Sequence, residues 1–306
     1  MKCRVCRGRA VIDIRRHNAN FCREHFVAHC HEQVARSIKK YAMFGPEARV
    51  LVAVSGGKDS LMLWDVLHRL GYDADGLYIG LGIGEYSDVS LQACDTFAQE
   101  RGLKLNVVDL NDAYGYDIPS KSKSAKRPTC AVCGLSKRYV MNDAALAGGY
   151  DVLATGHNLD DEAAVLFGNL MHWNIDALSR QMPVLDAGEG LAKKVKPLVR
   201  LAERETAAYA VVNGIDYIVE ECPMVAGNTG LRYKGALNEI ERTSPGSKSQ
   251  LYFGFLDKAA ARFAPGDDAK PDVHACATCG APTTADVCAF CRMRGPVTTG
   301  NVEGSR

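Results

Sequence analysis

Apolar and polar positions along the middle of the chain switch repeatedly between two periods. Residues 50–54 (VLVAV) form an unbroken apolar or small run, the pattern of a strand buried on both faces of a parallel sheet. A polar turn follows, Ser55-Gly56-Gly57-Lys58-Asp59-Ser60, after which Leu61, Met62, Leu63, Val66 and Leu67 recur at helical spacing. The same reading predicts strands at 76–84, 104–110 and 151–155, with helices at 87–101, 134–147 and 202–213. A last short strand is expected at 215–221, and 193–199 reads as a basic strand or loop. This rhythm predicts an α/β protein with a doubly wound parallel sheet. Upstream, 32–44 reads as an amphipathic helix stopped by Pro46, and downstream 227–262 reads as mostly helical. Periodicity is lost over 111–129, where Pro119 to Pro128 bound a basic loop.

The 306 residues suffice for one α/β domain with appendages or two small domains. At 47% hydrophobic and 24% charged residues the composition is that of a soluble globular protein. No apolar run reaches membrane-spanning length, and MKCRVCRGRAV lacks the core of a signal peptide, so a cytoplasmic protein without membrane contact is expected. A net charge of +1 excludes a uniformly basic nucleic-acid binder. Any RNA contact must come from local patches: the 119–128 loop, the helix bearing Arg36, Lys39 and Lys40, or the region of Arg232, Lys234, Arg242 and Lys248.

The turn after the first strand has the chemistry of a phosphate site. Its glycines admit close backbone approach, its N–H groups and the following helix dipole favour an anion, and Lys58 adds a cation. It lacks the spaced glycine and Lys-Ser/Thr pair of a Walker A loop. SGGKDS instead resembles the PP-loop of N-type ATP pyrophosphatases, which imply cleavage of ATP to AMP and pyrophosphate. The predicted strand at 151–155 also ends in a polar turn, Gly156-His157-Asn158-Leu159-Asp160-Asp161-Glu162. Ligands of doubly wound sheets gather at the carboxyl ends of strands, so both turns are expected to face one ATP. Asp59 and Asp161 are the carboxylates suited to magnesium or proton handling. Acids at 160–162 also suit a helix N-terminus, the role that fits Glu162 best.

Cysteine usage divides into three sets. Cys3-x-x-Cys6 and Cys22-x-x-His25 are separated by 15 residues and supply four tetrahedral ligands, the pattern of a structural zinc site. His29 is a rival fourth ligand, one helical turn further on. Cys276-x-x-Cys279 and Cys288-x-x-Cys291, with eight residues between the pairs, have the spacing of a compact zinc ribbon. Cys130, Cys133 and Cys222 remain, with Cys30 left over as a bystander and Cys94 as a buried helix thiol. Cys222 lies 89 residues beyond Cys133, a separation from which sequence cannot prove contact. Three thiolates are one short of a closed site, which suits a [4Fe–4S] cluster with one open iron.

Together the N-terminal C-x-x-C…C-x-x-H finger, SGGKDS, CAVCGLSKRY, GHNLDDEA, EECP and the C-terminal C-x-x-C…CAFC ribbon resemble the TtcA/TtuA family of tRNA-thiolating enzymes over nearly the whole chain. The resemblance implies a Rossmann-like PP-loop catalytic domain (31–265) between zinc modules at 1–30 and 272–295. It implies ATP-dependent replacement of a uridine C2 oxygen by sulfur, the target being 5-methyluridine at tRNA position 54. It further implies a [4Fe–4S] cluster on Cys130, Cys133 and Cys222, Mg²⁺, two structural Zn²⁺, and Asp59, Lys137 and Asp161 as catalytic residues. ATP is assigned to Ala53, Val54, Ser55, Gly56, Gly57, Lys58, Asp59, Ser60, Ile79, Gly156 and Asp161. Partners implied are tRNA, a ubiquitin-like thiocarboxylated sulfur carrier (TtuB-like) and a second copy in a homodimer. Wobble-uridine thiolation by the same chemistry is the nearest alternative. An anticodon-loop cytidine enzyme lacks the paired zinc modules, and an amide-forming PP-loop synthetase has no use for three converging cysteines. A plain zinc-ribbon RNA binder leaves SGGKDS and GHNLDD without a purpose.

Overall fold

Three segments of the chain, 1–225, 229–263 and 272–295, are described by the computed structural model. The N-terminal part is a hairpin of β1 (Ile12–Ile14) and β2 (Ala19–Phe21) followed by α1 (Arg23–Lys40). The centre runs β3 (Arg49–Val54), α2 (Lys58–Arg69), β4 (Asp73–Gly80), α3 (Gly84–Arg101) and β5 (Leu105–Asp109). After α4 (Leu110–Tyr114), α5 (Ile118–Ser124) and α6 (Thr129–Ala147) the chain re-enters the sheet at β6 (Val152–Thr155). Next come α7 (Leu159–Met171), α8 (Ile175–Leu178), β7 (Val184–Leu185), β8 (Lys194–Val195) and α9 (Glu203–Asn213). Helices α10 (Thr229–Thr243), α11 (Ser247–Lys258) and α12 (Ala260–Phe263) precede the ribbon of β9 (His274–Ala275), β10 (Pro282–Thr283) and α13 (Ala289–Arg294).

The sheet order is β5-β4-β3-β6-β8-β7, parallel except for β7, which pairs antiparallel with β8. Side chains of β3 alternate between two cores, as a strand with period two must. Val50, Val52 and Val54 pack with Trp64 and Tyr209, whereas Leu51 packs with Leu77, Leu153 and Val140. Helices therefore cover both faces, the doubly wound arrangement expected. From β3 the chain first builds β4 and β5 on one side, then returns to place β6 on the other. The carboxyl ends of β3 and β6 thus flank the topological switch point, where such sheets open a crevice.

Three expectations are corrected. Residues 215–221 form no strand, because β8 and β7 already fill the sheet beside β6. The segment instead crosses the top of the sheet, and the Ile218 N–H donates to the Gly56 carbonyl at 3.0 Å. The stretch 111–129 is not a bare loop: Asp109 and Asp117 cap two short helices, and Pro119 fits the first turn of α5, where its missing N–H costs nothing. Lys121 there donates to the Arg294 carbonyl of the ribbon. Finally, the helix expected at 32–44 starts nine residues earlier, directly after Cys22. The tail Thr298 to Arg306, whose sequence leads one to expect disorder, lies outside the described residues.

Both terminal modules are fastened to the sheet domain by aromatic and charged contacts. Phe290 of α13 stacks on Tyr139 of α6 at 3.7 Å and meets Tyr114 edge-on at 5.3 Å. Arg16, after β1, pairs with buried Glu205 and donates to the Arg200 carbonyl at 2.9 Å.

Candidate active site and metal centres

Two groups of ligand atoms each draw together within 4.8 Å: Cys3, Cys6, Cys22 and His25, and Cys276, Cys279, Cys288 and Cys291. Sulfurs on a tetrahedral zinc, each about 2.3 Å from the ion, stand about 3.8 Å apart. Cys6 and Cys22 are separated by 3.8 Å, and Cys279 and Cys288 by 3.7 Å. Backbone donors prepare the thiolates. Burial opposes it, yet N–H groups of Cys6, Cys22 and Val5 bring the Cys3 thiol down to about 6. The Cys288 N–H, against burial, does the same for Cys276, also to about 6. His25 presents Nδ1 to Cys22 at 3.1 Å. His29 faces elsewhere, stacked on Phe21 at 4.9 Å with Nε2 3.7 Å from Glu205. His25→Ala should therefore remove one of about two zincs per chain, and His29→Ala neither; metal analysis showing the reverse would exchange the two assignments.

The phosphate-type turn is short and tightly determined. Ser60 Oγ accepts the Ser55 N–H at 3.1 Å and donates to the Gly57 carbonyl at 3.0 Å. Gly56 has φ +73°, and a Cβ there would stand 2.7 Å from the Ser90 carbonyl oxygen, so no other residue fits. The second turn packs directly on the first: a Cβ on Gly156 would lie 2.9 Å from the Ser60 nitrogen. Asn158, N-cap of α7, joins them by donating to Asp59 Oδ1 at 3.0 Å, and the Thr206 hydroxyl donates to the same oxygen. Asp161 closes a capping box by accepting the Asn158 N–H at 3.1 Å, leaving Oδ1 for the Lys234 ammonium at 2.8 Å. Glu162 stands in the first turn of α7, as expected, and is there buried and paired with Lys196 at 2.7 Å. Buried Asp160 is held by Lys248 and by the Glu203 N–H.

Lys58 contacts Asp59 at 3.0 Å and Glu203 at 2.9 Å. Burial would lower its pKa, but these carboxylates raise it. Glu203 shows the converse: burial would raise it, and Lys234 and Lys58 hold it below the ordinary carboxylate range. Beside the turn lies a cavity of about 100 Å³, bounded by Ala53, Val54, Ser55, Ile79, Tyr86 and Lys137 among others. Every residue expected to meet ATP thus belongs to this cavity, to the first turn, or to the second turn packed on it.

The third cysteine set meets in space. Cys133 and Cys222 join the same apolar cluster as Tyr86 and Met224, and the Cys130 sulfur lies 3.8 Å from the Met224 carbonyl. Burial pushes the Cys133 thiol up, Lys137 one helical turn away pulls it back, and Cys222 and Cys130 add to the rise. Among the described residues these three sulfurs do not close to the 4.8 Å that marks both zinc-type groups. An all-thiol set too widely spaced for a single ion fits an iron–sulfur cube.

Sequence reasoning missed Glu203, Thr206 and Lys234. Glu203 and Thr206 look like any first helical turn, and Lys234 and Lys248 were placed on a possible RNA face although one reaches the site and the other is buried. Asn158 was within reach, since the N-cap of a strand-ending turn points back over the sheet edge.

Comparison with known proteins gives two family matches. Residues 2–27 match the model described as "2-thiouridine synthetase TtuA, N-terminal LIM domain", and residues 30–233 match the PP-loop domain. The chain is 51% identical to a tRNA-5-methyluridine(54) 2-sulfurtransferase of Thermus thermophilus, over 96% of this chain and 91% of the relative. It is 42% identical to a protein of the same name from Pyrococcus horikoshii, over 96% and 94%. The tRNA 2-thiolation protein NcsA of Haloferax volcanii is 29% identical, over 96% and 98%. Among solved structures, the U34-tRNA thiolase NcsA from Methanococcus maripaludis, described with its [4Fe–4S] cluster, superposes with a TM-score of 0.75 at 24% identity, covering 84% of this chain and 87% of the other.

Proposed function

The chain belongs to the PP-loop family of tRNA-5-methyluridine(54) 2-sulfurtransferases, and from that membership we propose how its site performs the reaction. The activity is ATP-dependent tRNA 2-thiolation, in which sulfur replaces the C2 oxygen of 5-methyluridine at position 54. One observation carries the reading at the atomic level: at the β3/β6 crevice the phosphate turn packs on the second turn, Asn158 ties Asp59 to Asp161 across them, and the cavity alongside is lined by Lys137, one helical turn from Cys133.

The C2 oxygen is a poor leaving group. It attacks the α-phosphorus of ATP, the α–β anhydride breaks and pyrophosphate departs. Sulfur then adds at C2 and the C–O bond breaks, with AMP carrying the oxygen away. Amides of residues 55–60 and Lys58 stabilise charge on the phosphates. Asp59 and Asp161 would hold Mg²⁺, which would neutralise developing phosphate charge, and Gly156 keeps the two turns in register. Ala53, Val54 and Ile79 wall the nucleotide. Lys137 acts between cavity and thiols, on the charge that develops at C2. Cys130, Cys133 and Cys222 hold a [4Fe–4S] cluster; when bound, such a group with an open iron supplies an oriented, non-protein sulfur. Tyr86 and Met224 shield that corner from water.

The zinc modules, 1–30 and 272–295, brace the catalytic part, 31–265, and dock tRNA. A ubiquitin-like carrier with a C-terminal thiocarboxylate, TtuB-like, delivers the sulfur, and the protein works as a cytoplasmic homodimer. No described helix is long and apolar enough to cross a membrane. The wobble-uridine alternative is less well supported, since the relatives named for position 54 are 40–51% identical and the NcsA relative 29%. Mapping the thiolated nucleotide in tRNA separates the two.

A further inference from the structure

Five charged side chains form one alternating line across the crevice: Asp59, Lys58, Glu203, Lys234 and Asp161. The two carboxylate oxygens of Glu203 divide between two ammonium groups, Oε1 to Lys58 at 2.9 Å and Oε2 to Lys234 at 2.9 Å. Each lysine then reaches one aspartate, Lys58 to Asp59 at 3.0 Å and Lys234 to Asp161 at 2.8 Å. Four of the five stand in the first turns of three helices: Lys58 and Asp59 open α2, Asp161 opens α7 and Glu203 opens α9. Three positive helix ends therefore meet here. The fifth, Lys234, is supplied from α10, a helix outside the sheet layers, and its side chain is only 18% exposed.

A purely structural lysine would need one partner to tie α10 to α7. Lys234 has two, and the second is the carboxylate that also engages the cation of the phosphate turn. A carboxylate bridging two ammonium groups presents acceptor oxygens much as a bridging phosphate does, so the pair is already spaced for an anion of that kind. Resting on the ATP-cleaving reading above, we propose that Lys234 is a second phosphate-binding cation. It grips the pyrophosphate end of ATP opposite Lys58, and Glu203 is the positioning residue that sets the separation of the two lysines.

AMP lacks the phosphates that Lys234 would touch, which supplies the test. Binding of AMP, ATP and pyrophosphate, each with magnesium, is measured by calorimetry on the full-length, metal-loaded protein and its variants. Lys234→Met should weaken ATP and pyrophosphate about tenfold or more, the effect of losing roughly 1.4 kcal/mol, and leave AMP unchanged. Lys234→Gln, which keeps a hydrogen bond to Asp161, carries the same prediction should the methionine variant not fold, and Lys234→Arg should retain most pyrophosphate affinity. Equal weakening of all three ligands would mean a structural role, and unchanged pyrophosphate affinity would mean no contact; either result overturns the inference. If the wild type binds none of the three, the ATP reading itself falls and takes the inference with it.

Discussion

Asp59→Ala and Asp161→Ala should each reduce thiolation by about a hundredfold or more while tRNA binding persists. The expectation rests on what each carboxylate does besides bearing charge. Asp59 collects the Asn158 amide and Thr206 hydroxyl on one oxygen and Lys58 on the other, so it couples both turns and α9. Asp161 completes the capping box of α7 from the third helical position, behind the N-cap Asn158, and pairs with Lys234. Alanine at 161 therefore also loses the reciprocal capping-box bond to the Asn158 N–H, a cost of about 1 kcal/mol in stability. Asp161→Asn separates the two effects, since its side-chain oxygen still accepts the Asn158 N–H while the charge is gone. The asparagine variant should melt near the wild type and remain inactive. Wild-type turnover should release AMP and pyrophosphate; ADP and phosphate would remove the PP-loop chemistry altogether.

A comparable loss is expected from each single change, Cys130→Ala, Cys133→Ala or Cys222→Ala, with bound iron and activity disappearing together. The structure separates these thiols from the seven zinc-type ones by spacing, since the ligand atoms of each zinc-type group all lie within 4.8 Å of one another and these three do not draw together that closely. Anaerobically reconstituted wild type should be brown, hold about four irons per chain beside its zinc, and lose activity in air. Cys133→Ala with full activity in air and no iron would mean that two cysteines suffice. A Cys130–Cys222 persulfide and resolving pair would then replace the cluster.

Much of this was legible in the chain because local rules and the global fold agree. The run 50–54, the glycine turn and the apolar spacing from Leu61 specify strand, loop and helix without outside help. The zinc ligands are legible for the same reason: a C-x-x-C pair brings both thiols to one ion whatever surrounds it. What escaped depends on distant packing. The 215–221 segment has strand-like residues, but its place in the sheet was taken by β8, whose two residues give little periodic signal. Pro119 read as a breaker and proved to be a helix starter, because Asp117 two residues earlier caps the turn. Lys234 is invisible locally: nothing in a basic helix says that one lysine reaches Asp161, 73 residues earlier. The meeting of Cys222 with Cys130 and Cys133 is of the same kind: local spacing does not show it, and only the count of cysteines left over from the zinc sites and the family pattern anticipated it.

The most direct test of the account is the position of sulfur in the product. Anaerobically loaded protein is incubated with unmodified-sulfur tRNA that already carries 5-methyluridine, ATP, magnesium and a sulfide source. The tRNA is then digested to oligonucleotides and sequenced by mass spectrometry. A mass gain of about 16, oxygen replaced by sulfur, confined to the fragment containing position 54 and dependent on ATP, is the predicted result. Sulfur at the wobble position, or an adenylated tRNA that never gains sulfur under any donor, would contradict it.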